Sequence, residues 1–379
     1  MRSLTPVLAV ALLAVAARSQ ATHVVGPNGF AQINAALAVA APGDVLVVDP
    51  GIYEPFAVTF GVTIRAATPG TVLVNVAIVG ALVSSTVTLA ANETVHLVDL
   101  SIRVLTISGG TTTLDGCTLT AYQFWGTTAV SLANGILHCH ACTFLGGQGS
   151  PGLRAGLAAV NATVSAVDSS FTGANAGHPL NGPPAGAAVV LQNSTLQGSR
   201  LTALGGSGTV ALAYPPQPAL RATTSIVWTS DSTLTGGAYP NGTRVCPVDA
   251  NAGRLARCTL VPTCPAGIPS GLLLGVHRVA APQAAGTLGL EFQTDANGYV
   301  AIFASNSLGT SPLPALEQPL LLDAANAFPV AFLLADASGQ AAVTWTIPAG
   351  ITHAAWWFQG VSGPTFPLQL SPVVGGIVR

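Results

Sequence analysis

The chain has no lysine at all, and its 12 basic residues face 14 acidic ones in 379, for a formal net charge of −2. A field that weak attracts neither nucleic acid nor an anionic membrane. Aromatic side chains are scarce, at 6%. Long apolar runs are missing too. Val7–Ala17 falls short of the roughly 20 residues a membrane helix needs, and every later stretch is broken by Gly, Pro or polar residues before that length. What abounds is apolar side chains, 50% of the total, interrupted by 42 Gly and 27 Pro. Such a composition excludes charge-driven disorder and points to many short strands and turns.

Residues 1–21 read as a secretory signal: Arg2, the apolar stretch Val7–Ala17, then the small-residue ending Ser19-Gln20-Ala21. The expectation is therefore a protein that is secreted or held at the cell surface, without a transmembrane segment. Six cysteines, at 117, 139, 142, 246, 258 and 264, follow the signal. An oxidising compartment favours disulfides among them, and the sequence leaves the pairing open.

An internal repeat organises the middle of the chain. Six segments align on Ile102, Leu119, Phe144, Phe171, Leu196 and Leu234, each preceded by Ser or Thr, with Gly146, Gly173, Gly198 and Gly236 two residues after the last four. Counting back from each anchor, small or apolar residues recur at strand spacing, as in Leu97, Leu114, Cys139 and Ala166. Three residues before the anchor stand Asp99, Gly116, Ala141, Asp168, Asn193 and Asp231, a column rich in the residues that accept a left-handed turn. Strand, tight turn, strand and Gly-rich loop, repeated about every 25 residues, describe the coil of a right-handed parallel β-helix.

At the front of this array Phe30, Ile33, Ala36, Leu37 and Ala40 fall at helical spacing, which predicts an N-terminal capping helix over the first coil. Ala41-Pro-Gly-Asp44 follows, then a Val-rich strand and Pro50-Gly-Ile-Tyr53. This opening resembles that of right-handed β-helix proteins of the pectin-lyase-like superfamily, and with the coils the resemblance spans residues 22–240. Residues 241–270, rich in Pro and Cys, read as a linker. Residues 271–379 carry short strands separated by turns such as Asp295-Ala-Asn-Gly298 and Asp336-Ala-Ser-Gly339, which predicts a small antiparallel β-sandwich. An extra β-helix coil closing the first domain is the other reading of that region.

The resemblance implies a search for lyase, polygalacturonase and methylesterase machinery, and none of those motifs is present. The chain has no Lys base, no Asp-Asp pair and no Gly-His-Gly segment. A catalytic site in this chain would be built from residues distant in sequence. Asp99, Asp168 and Asp231 suggest calcium, but a turn that wants short polar side chains explains them without a metal. In His138-Cys139-His140 strand alternation points the cysteine inward and both histidines outward, so the three do not converge on zinc. Asp115 shares the column of His140, making this pair the candidate for acid–base work, with a purely structural pair as its counterpart. Cys117 and Cys142, one rung apart in an inward column, are either a disulfide or stacked free thiols. Tyr122, Phe124, Trp125 and the outward Trp228 are candidate platforms for sugar rings, or else satellite core. Trp345, Trp356 and Trp357 are expected in the sandwich core or at its edge. Sequons at Asn92, Asn161, Asn193 and Asn241 indicate surface positions.

The functional expectation is a non-catalytic scaffold. It would bind a polysaccharide or cell-envelope polymer through a face lined by Ser and Thr at 101, 118, 143, 170, 195 and 233. The alternative is a polysaccharide lyase or glycoside hydrolase working in a groove along the coils. A self-associating component of an envelope layer is a third reading.

Overall fold

The computed structural model describes residues 20–74, 83–122, 127–147, 154–176, 185–209, 214–250, 253–264, 274–278, 286–311, 313, 316, 318–347, 355–363 and 368–378. Residues 1–19 of the proposed signal, and Phe124 and Trp125, lie outside them. Among the described residues three parallel sheets of ten, nine and eight strands wrap one core. One coil reads Val45–Val48 in the first sheet, Gly51–Tyr53 in the second and Ala57–Val58 in the third, before Thr63–Ala66 returns to the first. This is a parallel β-helix.

The repeat arises because equivalent residues stack at the interstrand spacing, so each interior column fills itself with matching side chains. Val74, Ile102, Leu119, Phe144, Phe171, Ala203 and Leu234 form one such column, in register from coil to coil. The rings of Phe144 and Phe171 lie 4.5 Å apart and nearly parallel, at 10°. The capping helix is the short segment Ile33–Leu37, which buries Ile33, Ala36 and Leu37 against the same core.

One rung departs from the expected alignment. Ala203, not Leu196, stacks between Phe171 and Leu234, while Leu196 lies in the first sheet beside Val164. Thr202 accordingly takes the outward place expected of Thr195, and Gly205 that of Gly198. Two of the three corners of the coil use the same device. A residue with positive φ is followed by a Ser whose hydroxyl bonds the carbonyl two residues back and accepts an N–H from the neighbouring rung. Asp168 and Ser169 do this between the first and second sheets, and Asn193 and Ser194 do it between the third and first. Asn193-Ser-Thr-Leu therefore matches Asp231-Ser-Thr-Leu in text while turning a different corner. The glycine after each anchor sits where the chain pinches shut beneath a loop. A Cβ on Gly173 would lie 2.0 Å from the Gly186 carbonyl oxygen, and one on Gly205 2.0 Å from that of Gln217.

The segment 241–270 is more than a linker. Val248–Asp249, Gly253–Ala256 and Thr259–Val261 extend the third, first and second sheets by one more coil. Cys246 and Cys264, with Cα atoms 5.8 Å apart, form the disulfide that joins the two ends of this last turn. Cys117 and Cys142 are free, so of the two readings the disulfide is not formed and the buried thiols stand. Their thiols turn to backbone carbonyls instead, Cys117 to that of Leu97 at 3.3 Å and Cys142 to that of His140 at 3.2 Å.

Beyond the coils the strands are antiparallel. Gly275–Arg278, Thr287–Gln293 and Gln340–Thr346 form one sheet. Phe328–Leu334, Tyr299–Ser305, Ala355–Ser362, Gln369–Leu370 and Val374–Ile377 form the other, and Leu308–Ser311 pairs with Leu320–Leu322 as a separate two-stranded ribbon. The turns at 295–298 and 336–339 each carry the chain from one sheet to the other and bond to each other through Asn297 N–H and the Asp336 carbonyl. The core between the sheets holds Leu290, Phe292, Val300, Ile302 and Phe358, and Val167 of the β-helix joins this same cluster. The sandwich is thus seated on the outward face of the first sheet. No helix among the described residues is long and apolar enough to cross a membrane.

Phe171→Ala removes half of the stacked pair from a fully buried column and is expected to lower unfolding free energy by about 3–5 kcal/mol. The exposed Thr259→Ala is expected to stay within about 0.5 kcal/mol of wild type. Urea unfolding of both variants measures the difference.

Candidate binding cleft at the domain junction

The seat of the C-terminal domain is made by two outward columns of the first sheet. One runs His96, Thr113, His138, Ser165, Gln197, Trp228 and the other Val98, Asp115, His140, Val167, Ser199, Ser230. Strand alternation turns these outward, as expected, and Cys139 inward into the core. The face they make is nonetheless covered. Trp357 stacks over His96 and His138, with ring centroids 6.0 and 6.2 Å away. Ser165 Oγ accepts the Val373 N–H at 3.1 Å and Ser199 Oγ that of Val276 at 3.2 Å. Gln197 donates to the Pro319 carbonyl at 3.3 Å. Trp357, expected in the sandwich core or at its edge, lies at the edge in this seam, whereas Trp345 stacks on Phe358 at 5.0 Å inside the sandwich.

Asp115 and His140 do pair, Oδ1 to Nδ1 at 3.0 Å. Arg278 of the C-terminal domain closes on the same carboxylate, its two terminal nitrogens 2.8 and 3.3 Å from Asp115, and also donates to the Gly375 carbonyl. Burial pushes the Asp115 carboxyl up, but the His140 hydrogen bond and the Arg278 charge outweigh it and hold the group well below the usual carboxylate range. With Asp115 and Arg278 at 9% and 6% exposure, the trio is an interdomain clasp closed to a polymer.

An open site lies beside it, where the first sheet turns into the second. The positive-φ column ends Asp168, Arg200, Asp231, Arg257, alternating in sign on successive rungs. Arg200 Nε lies 2.8 Å from Asp168, and Arg257 reaches Asp231 twice, at 2.5 and 2.9 Å. Of the acidic turn residues considered for calcium, Asp168 and Asp231 thus face arginines. Among the described residues no three His, Cys, Asp or Glu groups converge for a metal. From the C-terminal domain His277 Nδ1 meets Asp168 Oδ2 at 2.7 Å. Between the ladder and that domain runs an open cleft of about 480 Å³, lined by Arg200, Thr202, Asp231, Thr233, Glu291 and Gln340 among others. Thr202 and Thr233 also belong to the outward hydroxyl column of the second sheet, half-buried at Ser101, Thr118, Thr143 and Ser170 and exposed at Thr202, Thr233 and Thr259.

The other candidates fall elsewhere. Tyr122 is buried, its hydroxyl donating to the Val83 carbonyl at 3.2 Å and its ring 5.8 Å from the Arg103 guanidinium, so it offers no platform. Trp228 is half-buried on the sheet that the C-terminal domain covers. All four sequon asparagines are exposed. His277 and Arg278, which complete both clusters, were not singled out from the sequence. A lone His-Arg pair in a short strand carries no signal of which acidic residues, more than a hundred positions away, it will meet. No protein-family model matches the chain, and no curated protein matches it either.

Asp115→Asn leaves the Arg278 guanidinium buried without its counter-charge and is expected to cost about 3–5 kcal/mol. Because the folded-state pKa of Asp115 is depressed, its contribution is complete above the ordinary value of 3.8 and is lost as pH falls below it. Thermal unfolding of wild type and Asp115→Asn across pH 2–7 reads this: the two curves converge at the acid end.

Proposed function

We propose that the protein is an exported, non-catalytic β-helix scaffold that binds a surface polysaccharide. The polymer lies in the junction cleft and runs on along the hydroxyl face of the second sheet. The observation that carries this reading is the sharing of Thr202 and Thr233 between cleft and column, which makes one continuous polar track from a recess onto a rigid ladder. Sugar hydroxyls need both donors and acceptors held at fixed positions. The cleft offers the Gln293 and Gln340 side chains, the Asp231 and Glu291 carboxylates and the threonine hydroxyls. The mixed signs of Asp168, Arg200, Asp231 and Arg257 suit a neutral or weakly charged polymer better than nucleic acid, in keeping with a net charge of −2.

Export and a surface location draw support from the signal-like residues 1–21 and from the Cys246–Cys264 disulfide. Descent from the pectin-lyase-like superfamily draws support from the opening segment 41–53 and the stacked coils. The second reading, a polysaccharide lyase or glycoside hydrolase, rests on His277. It lines the cleft with Nδ1 held by Asp168, an arrangement that orients an imidazole for proton transfer.

Retention on a polysaccharide panel tests the proposal. On the polymer that retains wild type, Thr202→Val and Thr233→Val are each expected to weaken binding by about 0.5–1.5 kcal/mol, roughly twofold to tenfold in Kd, while Thr86→Val on the third sheet leaves it unchanged. No retention on any polymer rejects the reading. Release of unsaturated or reducing ends that His277→Ala abolishes favours the enzyme instead.

A further inference from the structure

The seam between the two domains has two ends of opposite chemistry. At one end Arg278, Asp115 and His140, with His277 and Asp168 nearby, hold the C-terminal domain by charge. At the other end Trp357 lies flat over two imidazoles, inclined by 16° to His96 and 30° to His138. His138 is 3% exposed, and neither of its ring nitrogens has a hydrogen-bond partner among the described residues. His96 Nδ1 meets only the Thr113 hydroxyl, at 2.6 Å. We propose that acid opens the Trp357 end of this seam while the Arg278 clasp stays closed, so that the C-terminal domain tilts on the first sheet without detaching.

The charges around the pair favour this. The strand Ala355–Ser362 that carries Trp357 has no ionisable residue, nor have Leu320–Leu322 and Ser371–Val374, which pack beside it. From the strand Gly275–Arg278, His277 and Arg278 turn to Asp168 and Asp115. On the β-helix, Glu93 lines the same shallow groove as His96, at the margin of the seam, and Arg65, Asp115 and His140 occupy the next outward column. A protonated His138 thus loses its hydration, gains no acceptor and is repelled by a protonated His96. The attraction of a cation for an indole face is the only compensation.

Burial accordingly pushes His96 down from 6.5 to about 4, and burial with the nearby His96 pushes His138 down to about 3. Both groups are neutral in the closed seam, so closure is fully stable above the ordinary histidine value and weakens as pH falls below it. At the other end the Arg278 guanidinium keeps its contact with Asp115, which stays ionised through this window because its pKa is depressed.

Hydrogen exchange of the full-length protein, corrected for the intrinsic effect of pH, tests the tilt. Between pH 6.5 and pH 4 the open population is expected to rise by about tenfold per pH unit for each histidine that titrates. That rise should appear as lost protection of the Val373 N–H, which bonds Ser165 Oγ across the seam, with the Val276 N–H in Gly275–Arg278, which bonds Ser199 Oγ, still protected. A variant combining His96→Phe and His138→Leu, which keeps apolar contact with Trp357, is expected to stay closed to pH 4. Trp357→Ala is expected to open already at pH 7.5. Unchanged wild-type protection at pH 4 overturns the proposal. So does opening of the double variant at the wild-type pH, or simultaneous loss of protection at Gly275–Arg278.

Discussion

Each coil of this protein has to lie over the one below in strict register, because strand side chains alternate and a slip of one residue exchanges the core face for the outer face. The register is held at the corners. Residues of positive φ, each followed in several rungs by a Ser that bonds both its own turn and the neighbouring rung, reset the chain direction twice per coil and tie it to its neighbour. Loops of very different length leave between the second and third sheets, yet they leave and return through glycine necks. An insertion there changes nothing in the stacked columns. The same register that aligns Phe144 over Phe171 inside the wall aligns Asp115 with His140 and Thr202 with Thr233 outside it.

A flat face of that kind is a good seat. The first sheet gives up its outward side to the C-terminal sandwich, and Val167 of the β-helix packs into the sandwich core as if the two were one domain. Charge is rare in this chain, at 7%, yet Asp115, Asp168, Arg200, Asp231, Arg257, His277 and Arg278 gather along a single edge of the seam. In an apolar molecule without lysine, a few arginine–carboxylate contacts orient the second domain where hydrophobic burial alone leaves rotation free. The other edge is apolar and aromatic, so the two margins of one interface answer differently to acid.

What is left open to a ligand follows from what the sandwich covers. The first sheet is spent on the seam, the second keeps its hydroxyl column, and the cleft forms where the corner ladder meets the accessory domain. A rigid scaffold with a polar track suits many weak contacts to a repetitive polymer, since neither the stacked rungs nor the short turns need ordering on binding.

Residues and spacing alone determined the β-helix, its capped front, the columns containing Leu97, Leu114 and Cys139, and the antiparallel character of the C-terminal region. These features are local periodicities, and stacking writes them into every coil. The single misplaced rung, Leu196 for Ala203, shows the limit. Two corners built with the same positive-φ residue and serine cannot be told apart by text that does not say which sheet comes next. Only the tertiary structure decided that the segment after Tyr239 makes one more coil and that Cys246 pairs with Cys264. It alone showed that the outward face of Asp115, His138 and His140 is buried. That burial depends on where a second domain comes to rest, and the contacts that place it, such as Arg278 with Asp115 and His277 with Asp168, join residues whose separation along the chain bears no relation to any repeat.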